Sequence, residues 1–314
     1  MVVCKGEASM SILTVFKGFC WFRPYIEVCR VESWLSWVFG FALGTVFFSF
    51  PSLGKAIAIF FAFSFATASI FVLNQYFDRQ ADEKNIIKSN LPIASGQVSP
   101  RNALTFSCLL IISCFILVFM TDNHLSLPFF LYLALWSSYS APFPRLKAVP
   151  VIDFLTSGVG AGFLPFFIGV SHQPSVSISL VILATTPLTL FHCGAHIIQT
   201  IGDYEADREA GINTFVVKYG RKKGVIIAGL MFLSAFLSPF TCLFAGLVSH
   251  EHLVLFITLL PLSIHPLLHF RHLYKNPCLS NVISLQKSVK KYGILALVIA
   301  WTYVLITKLV LADL

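Results

Sequence analysis

Apolar runs of about 18 residues or more recur along the whole of this chain, and each can cross a hydrocarbon layer of roughly 30 Å as a helix. Nine such runs stand out, at about 34–53, 56–77, 102–121, 124–141, 152–171, 176–201, 224–248, 252–270 and 292–312. They lack the alternation of polar and apolar residues that a membrane β-barrel needs, and in lipid the remaining way to satisfy every backbone group is the helix. The chain has 314 residues, 57% of them hydrophobic and only 11% charged. The expected fold is therefore all-α: a polytopic membrane bundle of nine transmembrane helices around a central cavity, joined by short cytoplasmic cap segments.

Two domain statements follow. Residues 1–33 carry Lys5, Lys17, Arg23 and Arg30 but no apolar core followed by a cleavage site, so they read as an amphipathic segment on the cytoplasmic surface rather than a cleaved signal. Residues 34–314 read as one transmembrane domain. The eight cysteines are scattered without a CxxC pair, which argues against a disulfide framework or a zinc site.

Charge orients the bundle. With the N-terminus cytoplasmic, segments 1–33, 78–101, 142–151, 203–223 and 271–291 share one side and hold 20 of the 22 Lys and Arg residues. That asymmetry predicts a cytoplasmic basic face, with the C-terminus on the opposite side. It accounts for the net charge of +8 without nucleic acid.

On that basic face the chain twice writes an amide and two aspartates at intervals of four: NQYFDRQAD at 74–82 and QTIGDYEAD at 199–207. Four residues bring side chains to one helix face, so Asn74, Asp78 and Asp82 form one stripe and Gln199, Asp203 and Asp207 another. Like charges at that spacing repel, and near lipid they need a counter-cation. Mg²⁺ suits them, since it takes oxygen ligands and uses one or two carboxylates together with substrate phosphates. Arg79 lies within the first motif and Lys84 and Lys88 follow it, Arg208 and Lys218 follow the second, and Tyr139 ends the fourth run with Arg145 and Lys147 after it. Acids and cations on one face suit a diphosphate bridged to carboxylates by metal.

These residues resemble the UbiA superfamily of intramembrane prenyltransferases. The resemblance is carried by FRP at 22–24, NQYFDRQAD, LPIASGQVS at 91–99, YSAPFPRLK at 139–147 and DYEADREAGINT at 203–214. It implies an enzyme that binds an allylic prenyl diphosphate, geranylgeranyl or similar, through Mg²⁺, and joins the prenyl group to a lipophilic acceptor within the bilayer. It further implies Asn74, Asp78, Asp82, Asp203 and Asp207 as the metal site, and Arg23, Lys84, Tyr139 and Lys147 as diphosphate contacts. Gln75 and Leu91 stand as in the branch that resembles homogentisate prenyltransferases, and YSAPFPRLK also looks like chlorophyll synthases. The stretch 194–212, with Asp153, looks closer to lycopene elongases. An aromatic acceptor and a carotenoid acceptor both follow, and a terpene cyclase or a secondary transporter are the further alternatives.

Breaking an allylic carbon–oxygen bond leaves a diphosphate anion and a delocalised carbocation. The first needs cations, and the second needs a dry pocket with aromatic faces. In the sixth run His192, His196, Gln199, Asp203 and Asp207 occupy a narrow arc of one helix. His196, with His192 beside it, is a candidate contact for the acceptor and its proton, with hydrogen bonds to neighbouring helices as the other reading. Asp153 is a second candidate base, with a helix N-cap as its other reading. His265 and His269 are expected to be structural.

Overall fold

The computed structural model describes residues 22–47, 51–85, 88–173, 176–244, 246 and 253–312. Residues 1–21, most of the expected amphipathic N-terminal segment, lie outside them. All regular structure in the described residues is helical: α1 Arg23–Val28, α2 Leu35–Val46, α3 Leu53–Lys84, α4 Pro100–Thr121, α5 Ser126–Ser140, α6 Ile152–Ser157, α7 Leu164–Val170, α8 Ile178–Gly202, α9 Tyr204–Glu209, α10 Phe215–Tyr219, α11 Arg221–Phe244, α12 Leu253–Leu259, α13 Pro261–Lys275 and α14 Leu279–Ala312.

Among the described residues seven helical stretches are long and apolar enough to cross a membrane: α3, α4, the α6–α7 unit, α8, α11, the α12–α13 unit and α14. That measure, applied to the described residues, does not reach the expected count of nine. The two other apolar runs form helices in the expected places, but α2 has 12 residues and α5 has 15. At 1.5 Å per residue these two helices measure about 18 and 22 Å.

Side-chain volume decides how closely these helices approach. A methyl added at Gly44 of α2 would overlap the Phe166 carbonyl of α7, and one at Gly169 would overlap the Phe41 carbonyl, so these two helices cross backbone to backbone. The expected fifth span is interrupted, with Gly158–Phe163 forming a π-helical turn between α6 and α7. Its glycines fit where nothing larger would: Gly158 against Cys193, Gly162 against Thr189 and Gly160 against the Trp136 indole. The expected eighth span breaks where Pro261, lacking an N–H, starts a new helix.

The larger core lies between α2, α3 and α5. Trp37 stacks on Trp136 with centroids 4.8 Å apart, Phe41 stacks on Phe63 at 4.5 Å, and the buried Tyr132 hydroxyl meets Thr67 Oγ1 at 3.0 Å. A second core joins α8, α11, α13 and α14 through Ile197, Ile201, Phe232, Phe270 and Leu285. Short α9 and α10 stand at the end where α3 and α8 finish, as the cap pieces expected there.

Candidate active site

The first motif ends α3, which at 32 residues and about 48 Å outruns the hydrocarbon and carries its last two turns beyond it. Asn74 Nδ2 donates to Asp78 Oδ2 at 3.0 Å and to Ser140 Oγ at the end of α5 at 3.1 Å. With both amide protons given away, the Asn74 carbonyl oxygen remains as an acceptor or ligand. Lys147 arrives from a single 3-10 turn, Leu146–Ala148, and its buried ammonium pairs with Asp78 Oδ1. The turn is entered through Arg145 at φ +54°, and α6 just beyond it is entered through Val151 at φ +78°. Both are conformations that side chains resist, at about 1–3 kcal/mol each.

The second motif sits where α8 hands over to α9. Asp203 is the residue between them, yet Asp203 N donates to Gln199 O at 3.1 Å and Asp207 N to Asp203 O at 2.8 Å. The stripe read from the sequence therefore survives the break. Lys88 Nζ donates to Asp203 Oδ2 at 3.1 Å and lies in electrostatic range of Asp82 and Asp207 as well. Burial lowers the Lys88 pKa, but Asp203 and the other two carboxylates outweigh it and hold the ammonium above its ordinary value. Asp207 is pushed up to about 7, first by burial and then by the charge of Asp203. Asp82 feels Lys88, Asp78, Lys147 and Arg30. The two motifs, 125 residues apart in sequence, thus form one cluster at one end of the bundle, and two lysines thread it.

On the inner side of the cluster His192 and His196 are buried and Tyr139 is half-buried. Tyr139 Oη lies 3.5 Å from His196 Nε2, and the rings meet edge to face. Trp136 packs edge to face on Tyr139 at 5.3 Å and joins it to the Trp37 stack. Asp153 is fully buried, and its Oδ2 accepts the Phe215 N–H at 2.8 Å. It therefore receives the N–H of the first residue of α10, whose N-cap is Thr214, while the N-cap of its own helix α6 is Val151.

Other expected contacts lie apart. Arg23 is largely exposed and pairs with Glu27 at 2.7 Å, and Arg79 leans on Glu83 at 3.4 Å. Lys84, Arg208 and Lys218 are exposed, Arg145 is half-buried in its turn, and Gln199 is exposed one turn before Asp203. The residue the sequence reading passed over is Arg30. Its guanidinium lies over the Phe71 ring at 5.6 Å and in electrostatic range of Asp82 and Asp203, which act against the lowering of its pKa by burial. Its signal in the sequence was its place immediately ahead of the first apolar run.

The profile of the UbiA prenyltransferase family matches residues 33–281. The chain is a member of the UbiA prenyltransferase family. It is 27% identical to the digeranylgeranylglyceryl phosphate synthase of Methanocaldococcus jannaschii, over 69% of this chain and 75% of that protein. It is 29% identical to the lycopene elongase/hydratase of Halobacterium salinarum, over 68% of this chain and 78% of that one. A UbiA homolog from Archaeoglobus fulgidus, solved bound to GPP and Mg²⁺, superposes with a TM-score of 0.69 at 20% identity and covers 87% of this chain and 99% of its own. This UbiA-family enzyme is accordingly a multi-pass membrane prenyltransferase.

The donor set fits a hard divalent cation. It offers Asp oxygens and an Asn carbonyl, with neither thiolate nor imidazole among them. No three His, Cys, Asp or Glu side chains among the described residues surround a common point closely enough to hold a metal alone. An ion such as Mg²⁺ uses one or two carboxylates and leaves the rest of its shell to water and substrate phosphate.

Proposed function

We propose that the enzyme transfers the prenyl group of an allylic diphosphate, geranylgeranyl or similar, to a lipophilic acceptor within the bilayer, with Mg²⁺ shared between the two aspartate motifs. The observation that carries this reading is Lys88: one ammonium bonded to the second motif and in electrostatic range of the first. Carboxylates that share a counter-ion are close enough to share one diphosphate. Asn74, Asp78 and Asp82 would hold metal on one side, and Asp203 and Asp207 on the other. Magnesium there would neutralise the diphosphate oxygens as the carbon–oxygen bond opens.

The protein's own groups do the rest. Lys88, Lys147 and Arg30 are cations already at the cluster. With the carboxylates engaged by metal, Lys88 and Lys147 would offer their ammonium groups to phosphate oxygens, and the Arg30 guanidinium would add a planar pair of donors. Trp136 and Tyr139 offer aromatic faces to the allylic cation just inside the charged mouth. His196 and His192, both buried, stand beside them; His196 Nε2 is the atom placed to take the proton that the acceptor loses when its new bond forms. An aromatic acceptor fits the Trp136–Tyr139–His196 wall best, because rings stack on rings.

The test is a Mg²⁺-dependent assay with labelled geranylgeranyl diphosphate and three acceptor classes: phenolic aromatics, carotenoids and a glyceryl phosphate lipid. The expected result is a prenylated aromatic and a loss of about 10²-fold or more in Asp78→Asn and Asp203→Asn. Undiminished turnover in those variants overturns the shared site, whereas preference for another acceptor class overturns only the aromatic assignment. A hydrocarbon made from the diphosphate alone would mark a cyclase instead.

A further inference from the structure

Away from the carboxylate cluster, α13 and α14 enclose a groove of about 360 Å³ lined by His265, His269, Ser284, Lys287, Ser288, Lys291 and Tyr292. On α14 these residues recur at intervals of three and four, so they form one stripe. Val282, Leu285 and Val289 turn the other way, into the core shared with α8. The imidazoles are fixed: His265 Nδ1 bonds Ser288 Oγ at 2.7 Å and His269 Nδ1 bonds Ser284 Oγ at 3.2 Å, with the two ring centroids 4.7 Å apart. When a serine hydroxyl donates to Nδ1, the ring proton resides on Nε2, which becomes an outward donor.

The stripe has cations and no internal anion. Residues 253–312 contain no Asp or Glu. Lys287 and Lys291 are exposed and enter none of the ion pairs among the described residues, although Lys291 lies 5.5 Å from the Tyr292 ring centroid. Ile264, Leu268, Ile283 and Leu295 on the same helices are exposed and apolar, as lipid-facing residues are. Ammonium groups set among lipid-facing side chains are costly unless an anion joins them. The anion available at that surface is a lipid phosphate.

We propose that the α13–α14 groove binds the phosphate headgroup of an anionic phospholipid, with Lys287 and Lys291 as counter-charges and His265, His269 and Tyr292 as hydrogen-bond donors. The acyl chains would run along the exposed apolar residues of the same hairpin. The site is separate from the aspartate cluster and does not depend on the reaction proposed there.

Native mass spectrometry of the full chain, released from nanodiscs of mixed phosphatidate and phosphatidylcholine, tests this. The wild-type protein is expected to retain phosphatidate in preference to phosphatidylcholine. Lys287→Gln/Lys291→Gln should reduce that retention roughly tenfold or more, and Ser284→Ala/Ser288→Ala should also reduce it. Lys275→Gln/Lys290→Gln, which removes the same charge outside the groove, should leave it intact. Equal losses in the two lysine pairs would reduce the effect to diffuse attraction and overturn the site. Equal retention of phosphatidylcholine would overturn it too. A thermal-shift arm with inorganic phosphate separates the sources, since stabilisation by free phosphate equal to that by phosphatidate contradicts a lipid ligand.

Discussion

Lys88 and Lys147 are the residues on which the charged site is balanced. Without them Asp78, Asp82, Asp203 and Asp207 would be half-buried like charges with nothing to offset their desolvation. Arg30 extends the same logic to the guanidinium that reaches the cluster. Arg30→Gln is expected to lower kcat/KM by about 10-fold or more, the scale of a lost charge-assisted bond to phosphate. Arg23→Gln, which loosens the exposed pair with Glu27, should stay within about twofold of wild type; steady-state kinetics of the two separates them. Asp207 adds a pH dependence. With its folded value near 7 and an ordinary value near 4, the metal-free folded state binds the extra proton between those values. Stability without metal therefore falls as pH rises from about 4 to 7 and stays low above. Mg²⁺ competes with that proton, so its affinity should strengthen from pH 6 to 8. Melting in EDTA and in Mg²⁺ at pH 5.5 and 8 checks both signs: the Mg²⁺ gain is larger at pH 8, and Asp207→Asn flattens the difference.

Among the elements, the broken helix α6–α7 does the most to shape the site. Its π turn sits against Trp136 and α8, and the first turn of α6 carries Asp153, which holds the start of α10 and hence the chain just after the second motif. Asp153→Asn keeps an oxygen acceptor for the Phe215 N–H, whereas Asp153→Ala removes it and leaves a buried donor unpaired. The amide variant is expected to retain most turnover, with the alanine variant weaker in apparent Mg²⁺ affinity; a catalytic base would lose turnover equally in both. Close helix crossings carry a second prediction. Gly44→Ala and Gly169→Ala must push α2 and α7 apart and should each cost at least about 2 kcal/mol. Gly54→Ala in α3, with open space around it, should be neutral or gain a few tenths. Thermal unfolding in one detergent compares all three.

Over the whole molecule, the bundle separates its charges. The aspartate cluster and its lysines gather at one end, while at the other Lys55 and Asp122 pair at 2.8 Å, joining the start of α3 to the end of α4. The sequence alone determined which stretches are helical and apolar, that two acidic stripes close α3 and α8, and that cations accompany them. Those properties depend on side-chain hydrophobicity and the 3.6-residue period, both local. Only the tertiary structure decided which cations turn inward. Lys147 meets Asp78 from 69 residues away and Lys88 meets Asp203 from 115, while Arg30 rather than Arg23, and neither Lys84 nor Arg145, enters the cluster. It also decided that Asp153 takes the first N–H of α10. The physical reason is that a charged side chain is flexible and its best partner is set by how distant helices rotate and pack, a quantity no local pattern records.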